Sequence, residues 1–335
     1  MRLLVTGGAG FVGSNLVRVV LRDAPYADVR VIDNFSTGLE RNLAGLDVEV
    51  VSGSILDEQA LTRATAGREA VVHLAALPSV PRSIADPVST HEANATGTLR
   101  VLEAARRADV PQVVVASSSS VYGANPVLPK DELAWTRPLS PYAVSKLSTE
   151  AYALAYQASY GLPTLAFRFF NIFGPGQRHD HAYAAVIPRF VHAALRGEPV
   201  IVHGDGRQSR DFTYVDTVCR VLLDAVTRGV QHAQPVNLAF GNRIDLQTVL
   251  TQLEQIIERP IERTLLAPRP GDVRHSQADT ATLRQLFPDI LPTPIEDGLR
   301  ATVEWFQGWL AAPAPRERAG HAEELGSTVA VPSPS

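Results

Sequence analysis

Tyr142 and Lys146 are the side chains whose types and spacing most directly suggest proton-transfer chemistry. They stand four positions apart near the start of a predicted helix, residues 142–159, so they share one helical face. A phenol ionises at about pH 10, and a neighbouring ammonium favours its ionised form. Tyr142 is therefore a candidate base at neutral pH. Only Lys130 and Lys146 are lysines among the 31 basic residues, which suggests sites that need a compact ammonium group.

The N-terminal segment, residues 1–14, predicts a buried strand, a glycine loop and a helix. Gly8, Gly10 and Gly13 fit the pattern G-x-G-x-x-G. Gly7, Gly10 and Gly13 also fit the looser pattern G-x-x-G-x-x-G. Glycines in this context allow a tight turn, a close approach of backbone N–H groups to a pyrophosphate, and packing of the helix on the strand. The segment is therefore a candidate dinucleotide-binding loop.

Asp33 lies twenty residues beyond Gly13 and ends the apolar segment Val29-Arg30-Val31-Ile32. A carboxylate at the tip of a second strand can accept both hydroxyls of an adenosine ribose, and it would repel a 2′-phosphate. The sequence therefore predicts NAD rather than NADP. The alternative is a glycine turn followed by a chance surface carboxylate.

Four consecutive serines, Ser117 to Ser120, follow a predicted strand near residues 112–117. Ligands of an open parallel sheet bind outside the carboxyl ends of its strands, so these hydroxyls are expected to face the same crevice as the glycine loop. A solvated linker is the alternative, but it would not be expected between an apolar strand and Val121-Tyr122-Gly123.

Strands and helices alternate along the chain as in a doubly wound sheet. Further strands are predicted near 48–51, 70–74, 112–117 and 163–168, with helices near 58–65, 90–108 and 142–159. Near-continuous apolar strands are typical of parallel sheets covered on both faces. The predicted fold is α/β, a Rossmann-like doubly wound parallel sheet with a smaller C-terminal α/β substrate-binding lobe.

The predicted domain boundaries follow from changes in composition. Residues 1–172 form the predicted NAD-binding domain, to which 213–240 return, and residues 173–212 and 241–310 form the predicted substrate lobe. The polar end of the chain, 311–335, contains several prolines and is expected to be disordered.

Composition excludes several classes of partner. The net charge of −4 without a long basic block argues against nucleic acid and against an anionic membrane. A single cysteine, Cys219, excludes a disulfide framework and fits the cytoplasm, and we expect neither a signal peptide nor a transmembrane segment. His179, Asp180 and His181 could suggest a metal site, but adjacent loop residues rarely ligate one ion. We therefore expect no metal.

Taken together and in order, the motifs resemble those of the extended short-chain dehydrogenase/reductases, the nucleotide-sugar epimerases and dehydratases. They are the loop from Thr6 to Gly13, Asp33, Ser118 with Val121-Tyr122-Gly123, Tyr142-x-x-x-Lys146, and the segment from Arg168 to Pro175. The resemblance covers roughly residues 1–310. It implies that Ser118 hydrogen-bonds the sugar O4, that Tyr142 takes the O4 proton, and that Lys146 binds the nicotinamide ribose. It also implies NAD as cofactor and a homodimer formed through the helices near 90–108 and 142–159.

The resemblance also bears on the reaction. Ser119 and Ser120 stand where dehydratases of the family place an Asp-Glu pair, and decarboxylases carry Glu at the position of Ser120. With no carboxylate at these positions, the simplest remaining reaction is 4-epimerisation, in which C4 is oxidised, the 4-keto sugar turns, and C4 is reduced from the other face. A dehydratase and a non-catalytic NAD-binding regulator are the alternatives.

The substrate is expected to be a UDP-sugar. By resemblance, Arg178 stands where uronic-acid epimerases place an arginine, whose fork could hold a C6 carboxylate. UDP-glucuronate, converted to UDP-galacturonate, is therefore favoured. UDP-N-acetylglucosamine and UDP-glucose remain open, because Asn171 replaces the usual Thr of uronate epimerases and the segment from Ser79 to Ile84 resembles N-acetylhexosamine enzymes.

The resemblance implies a full set of ligand contacts. Cofactor contacts are Gly7, Gly10, Phe11, Val12, Gly13, Asp33, Asn34, Ser36, Thr37, Gly38, Ser54, Ile55, Leu74, Ala75, Ala76, Asn94, Ser117, Tyr142, Lys146 and Phe169. Substrate contacts are Pro78, Ser79, Arg82, Ser118, Ser119, Ser120, Tyr142, Asn171, Arg178, Ala185, Val186, Ile187, Arg189, His203, Arg210 and Arg274. The arginines Arg210 and Arg274 are expected to bind the diphosphate, and Val186, Ile187 and His203 to contact the base.

Overall fold

The computed structural model describes residues 1–180, 184–267 and 274–311. Nearly all of the predicted C-terminal tail lies outside these ranges, as does His181 of the candidate metal cluster. The strands are β1 (Arg2–Thr6), β2 (Asp28–Asp33), β3 (Glu49–Ser52), β4 (Ala70–His73), β5 (Val113–Ser118), β6 (Thr164–Phe169), β7 (Asn171–Phe173), β8 (Val200–His203), β9 (Ser209–Tyr214), β10 (Val236–Leu238), β11 (Arg243–Asp245) and β12 (Arg263–Leu266). The helices are α1 (Phe11–Asp23), α2 (Glu58–Thr65), α3 (Val80–Ala85), α4 (Pro87–His91), α5 (Gly97–Arg107), α6 (Pro141–Tyr160), α7 (Val186–Arg196), α8 (Val215–Thr227), α9 (Leu246–Ile257), α10 (Ala281–Leu286) and α11 (Ile295–Ala311).

Seven parallel strands form the main sheet, in the order β10-β6-β5-β4-β1-β2-β3. Successive side chains of β1 alternate between its two faces: Leu3 and Val5 pack with α1 and α8, while Leu4 packs with α2, α5 and α6. Both faces of the sheet are therefore covered, which explains the continuous apolar strands. The predicted Rossmann-like α/β fold is confirmed.

Two small sheets make up the mixed C-terminal region. The first has the order β11-β9-β7, with β7 parallel and β11 antiparallel to β9, and the second pairs β12 with β8 in parallel. Helices α7, α9 and α11 enclose a separate core with them, which includes Ile187, Phe212 and Phe306. Because β7 begins two residues after β6 ends, the chain passes directly from the main sheet into this region at Asn171.

The single helix predicted near 90–108 is interrupted. A π-helical turn, Glu92–Thr96, separates α4 from α5. The side chain of Asn94 explains the interruption, because it bonds both the N–H and the C=O of Leu77 and also the Ser145 hydroxyl. Periodicity in the sequence carries no trace of these long-range bonds, and π-turns commonly mark functional sites.

A helix long and apolar enough to cross a bilayer is absent from the three described ranges.

Candidate active site

The structure brings Ser118, Tyr142 and Lys146 together at the carboxyl ends of the central strands. Ser140 caps α6 by accepting the N–H of Ala143 at 3.2 Å, and Pro141 occupies the first turn, so the helix starts just before Tyr142. Tyr142 and Ser118 share a side-chain hydrogen bond. One turn further along α6, Lys146 donates from Nζ to the carbonyl of Ala116 at 2.8 Å.

Burial sets the protonation of this trio. Enclosure of the hydroxyl raises the pKa of Tyr142, and the hydrogen bond from Ser118 partly offsets that rise. Desolvation lowers the pKa of Lys146 to about 8, so its amine still carries a charge at neutral pH. The pKa of Tyr142 thus lies above its usual range, so Tyr142 acts as a base only where a positive charge favours the phenolate. Lys146, one turn along the same face of α6, is the charged group that could supply it.

The other serines of the run differ in their surroundings. The hydroxyl of Ser118 lies 3.1 Å from that of Ser120 and accepts the Ser120 N–H at 3.2 Å. The Ser117 side chain faces the other way, and its one hydroxyl proton is shared between the Lys146 carbonyl and the Glu150 carboxylate. Strand alternation explains the difference, because Ser117 and Ser118 face opposite sides of β5.

The glycine loop forms a cradle that side chains would fill. A Cβ on Gly13 would stand 2.2 Å from the carbonyl oxygen of Gly7, and Gly7 itself adopts φ +70° beside Ala75. Gly10 caps α1 without a side-chain acceptor, so the first backbone N–H groups of that helix face no capping side chain. This geometry fits a pyrophosphate at a helix N-terminus.

Asp33 lies beside this cradle at the end of β2. Its carboxylate accepts the N–H of Ala9 at 2.9 Å and that of Phe35 at 2.8 Å, which fix its orientation. Each carboxylate oxygen can still accept a further bond, as the hydroxyls of a ribose would require. The loop that follows is ordered by Asn34, whose side chain accepts from Ser36. Gly38 packs so tightly that a Cβ would stand 2.9 Å from Ala9.

At the end of β4, His73 is a buried residue that the sequence analysis missed. Its Nδ1 lies 2.7 Å from the Thr6 hydroxyl and its Nε2 lies 3.0 Å from the Thr98 hydroxyl. Desolvation, with Lys146 nearby, lowers its pKa to about 3, so the ring is neutral. The Thr6 hydroxyl also accepts the N–H groups of Leu74 and Ala75, two of the implied cofactor contacts. A histidine within an apolar strand is the signal that could have found it.

Several implied substrate residues cluster around β9. Its register with β7 places Asn171 opposite Phe212, two residues from Arg210. Arg210 donates to the carbonyl of Arg274, and Arg274 forms a 3.0 Å ion pair with Asp205. These bonds bring Arg210 and Arg274 together, as a diphosphate site requires.

The remaining implied base and sugar contacts occupy separate places. His203 ends β8, and its Nδ1 lies 3.2 Å from the carbonyl of Ala267. Ile187 is buried in the core of the C-terminal region. Ser79 has φ +97°, a strained value for a non-glycine residue, and caps α3 by accepting the N–H of Arg82 at 3.3 Å.

Arg178 is paired with Asp180 in a surface cleft. Its guanidinium holds Asp180 with two bonds, 2.8 Å from Nε and 3.2 Å from Nη2. Both side chains line a cleft between the loop after β2 and helix α11, where Arg41 and Trp309 also lie. The neighbouring His179 stacks on His192 with ring centroids 3.8 Å apart. Among the described hydrogen bonds of Arg178, none reaches Ser118 or Tyr142.

Comparison with known proteins agrees with the geometry. The model of the NAD dependent epimerase/dehydratase family matches residues 3–239. The chain is 36% identical to the UDP-glucose 4-epimerase of Mycolicibacterium smegmatis, covering 92% of this chain and 99% of that protein. It is 32% identical to the UDP-glucuronate 4-epimerase of Thermodesulfobacterium geofontis (90% and 95%) and 32% identical to the dTDP-glucose 4,6-dehydratase of Streptomyces niveus (97% and 100%).

Two solved structures are similar over most of the chain. The UDP-N-acetylglucosamine 4-epimerase from Methanobrevibacter ruminantium M1, in complex with UDP-N-acetylmuramic acid, has a TM-score of 0.87 at 35% identity and covers 92% of this chain and 98% of its own. The UDP-glucuronic acid 4-epimerase from Bacillus cereus, in complex with UDP-glucuronic acid and NAD, has a TM-score of 0.84 at 29% identity and covers 92% and 100%.

Proposed function

Because the chain belongs to the NAD-dependent epimerase/dehydratase family, which confirms the resemblance and the predicted cofactor, we propose that it is a UDP-sugar 4-epimerase that converts UDP-glucuronate to UDP-galacturonate. The observation that carries the reaction type is the contact of Tyr142 with Ser118 beside a charged Lys146. Ser119 and Ser120 follow Ser118 in the sequence and bear no carboxylate that could serve a dehydratase in the elimination of water.

The trio performs the proton chemistry. Ser118 holds the sugar O4 by a hydrogen bond, and Tyr142 takes the O4 proton as the C4–H bond breaks. When bound in the cradle of the glycine loop, NAD supplies the hydride acceptor and later the hydride donor. After the 4-keto sugar has turned, Tyr142 returns the proton to O4, so protons and electrons balance over the cycle. Lys146 remains charged throughout and favours the ionised phenol.

The uronate assignment depends on Arg178. Its bidentate bonds to Asp180 have the fork geometry that a guanidinium uses for any carboxylate, and a C6 carboxylate of the substrate would take the place of Asp180. Holding that carboxylate would also keep it from aligning for loss as CO₂ when C4 is a ketone, since a 4-keto uronate is a β-keto acid.

UDP-N-acetylglucosamine and UDP-glucose are the second candidates. Asn171 and the segment from Ser79 to Ile84 favour them by resemblance. A dehydratase is disfavoured by Ser119 and Ser120. A non-catalytic NAD-binding regulator is disfavoured because the trio is intact.

The proposal includes a cytoplasmic homodimer formed through α5 and α6. The exposed side of α6 carries Val144 at 51% exposure and Tyr152 at 37%. Sedimentation of the purified protein tests this assembly, and a monomer at micromolar concentration would contradict it.

A panel of UDP-sugars tests the activity. We expect purified protein to convert UDP-glucuronate to its C4 epimer without loss of mass and with retention of deuterium placed at C4, because the hydride returns to the carbon that lost it. Loss of water would favour a dehydratase, and exchange of the deuterium with solvent would contradict the mechanism.

Two substitutions test the carboxylate contact. Arg178→Ala should lower kcat/KM for UDP-glucuronate about tenfold or more, with little change for UDP-glucose. Asp180→Asn, the matched control, weakens the internal pair without removing the guanidinium and should leave or improve the use of UDP-glucuronate. An equal loss with both sugars in Arg178→Ala would remove the uronate assignment.

A further inference from the structure

Glu150 extends the face of α6 that carries Tyr142 and Lys146. It stands four residues after Lys146 and is 3% exposed. Arg168, on β6, is 4% exposed and bonds both oxygens of this carboxylate, from Nη2 to Oε1 at 2.7 Å and from Nε to Oε2 at 3.0 Å. A fully buried, bidentate ion pair therefore lies directly beneath the candidate active site.

Three consecutive residues of β5 hold α6 at successive points along this face. The carbonyl of Ala116 accepts from Lys146 Nζ at 2.8 Å. The Ser117 hydroxyl lies 3.1 Å from the Lys146 carbonyl and 2.7 Å from the Glu150 carboxylate, and its one proton is shared between these two acceptors. Ser118 bonds the hydroxyl of Tyr142. These contacts fix the position of α6 along β5, and the contact of Ser117 with Glu150 is the one farthest along the helix.

Arg168 links α6 and β5 to the neighbouring strand, β6. It pairs directly with Ser117 across β5 and β6, and its Nη1 donates to the carbonyl of Glu132 at 3.0 Å. Its guanidinium also lies 4.7 Å from the ring centre of Tyr122. Glu150 is consequently the point where α6, β5 and β6 meet.

The pair also balances charge near the reacting groups. Arg168 keeps its charge at any pH of interest, whereas Lys146 has only a backbone carbonyl as its described hydrogen-bond partner. On its own helix, Lys146 has Tyr142 one turn before it and Glu150 one turn after it. On β5 its ammonium meets the Ala116 carbonyl, and on β4 the nearby group is His73, which is neutral. Without Glu150, the Arg168 cation would be buried without the carboxylate that pairs with it, at a point of α6 one turn beyond Lys146.

We propose that Glu150 and Arg168 are positioning residues for the reaction: their ion pair holds α6 on the ends of β5 and β6, and Glu150 neutralises a buried cation that would otherwise act on Lys146 and Tyr142. For its consequence on turnover this inference rests on the proposed function. Its electrostatic part concerns the protein alone and can be tested without a sugar substrate.

The two lysines of the chain make that test direct. Lysine labelled with ¹³C at Cε gives one signal for Lys130 and one for Lys146 in NAD-saturated protein, and Lys130→Arg assigns them. In Glu150→Gln, which leaves the Arg168 charge unpaired, the pKa of Lys146 should fall by about one unit. The double variant Glu150→Gln/Arg168→Met removes both charges and should restore the wild-type pKa within a few tenths. An unchanged Lys146 pKa in folded Glu150→Gln would overturn the electrostatic part. Recovery of the pKa in the double variant separates this role from a purely structural one, because a structural role predicts no recovery.

Kinetics test the positioning part. Ser117→Ala removes the contacts of β5 with Glu150 and with the Lys146 carbonyl while both charges stay paired, so it should fold even where Glu150→Gln does not. We expect kcat to fall about tenfold with KM within about twofold, and the pKa of Lys146 to stay as in wild type. An unchanged kcat in Ser117→Ala would overturn the positioning role. If wild-type protein converts no UDP-sugar, the proposed function fails, while the lysine titration still decides the charge balance.

Discussion

Replacement of Tyr142 by phenylalanine separates the chemistry from the fold. The substitution keeps the ring on α6 and removes the hydroxyl that bonds Ser118. Loss of one neutral hydrogen bond costs about 1 kcal/mol of unfolding free energy. Loss of a positioned acid–base group costs about 10²- to 10⁴-fold in rate, which corresponds to about 3–5 kcal/mol in the barrier. The effect on kcat should therefore far exceed the effect on stability.

The assay measures both quantities on one preparation. We expect Tyr142→Phe to retain NAD affinity and to unfold in urea close to wild type, while conversion of the UDP-sugar falls at least about 100-fold. Tyr26→Phe is the matched control, because it makes the same change at a position that is 97% exposed and lies outside α5 and α6. If Tyr142→Phe turned over within about threefold of Tyr26→Phe, the phenol would not be the base and the mechanism would be refuted.

The structure makes four further predictions. Because Lys146 loses its charge near pH 8, kcat/KM should fall above that pH, and a profile flat to about pH 10 would contradict its role. Gly13→Ala should destabilise the fold by at least about 3 kcal/mol, since the new Cβ meets the Gly7 carbonyl at 2.2 Å, whereas the control Gly308→Ala, with open space around it, should stabilise α11 by about 0.5–1 kcal/mol in urea unfolding. Asp33→Asn should weaken NAD binding about tenfold or more by calorimetry, and unchanged affinity would remove the ribose assignment. The pKa of His73 is about 3 in the folded state and 6.5 in the unfolded state, so only the unfolded state binds a proton between these pH values. The free energy of unfolding should therefore drop as the pH falls from 6.5 toward 3. If His73→Gln showed the same drop, another group would be responsible.

The features that the sequence predicts correctly are those encoded locally. The glycine loop and its strand and helix lie within one segment of 14 residues, and β2 ends at Asp33 as expected. Tyr142 and Lys146 share a face because helical spacing alone requires it. The rule that strand ends of a parallel sheet share one edge places the serine run at the edge of the glycine loop, whereas the meeting of Ser118 and Tyr142 is implied only by the resemblance to the family.

The features that the sequence does not predict depend on residues distant along the chain. Glu150 is four residues from Lys146, but its partner Arg168 is eighteen residues away on another strand. The π-turn at Glu92–Thr96 is stabilised by Asn94 through bonds to Leu77 and Ser145, which no local pattern encodes. Buried polar networks of this kind are chosen by the tertiary arrangement, so periodicity misses them.

The pairing of Arg178 with Asp180 bears on how a uronate could be selected. Both side chains are well exposed, 39% and 44%, and an exposed ion pair contributes no more than about 1 kcal/mol. Displacing Asp180 would therefore cost little, so the pair does not exclude a substrate carboxylate. Exchange of one carboxylate for another also yields little affinity by itself, because the same two bonds are broken and remade. Arg178 can discriminate strongly only if the substrate carboxylate is less solvated than Asp180 when bound, since removal of water strengthens a charged pair. Selectivity for the uronate thus depends on how completely the bound sugar excludes water from the guanidinium, and a salt-independent preference for UDP-glucuronate would identify such a desolvated contact.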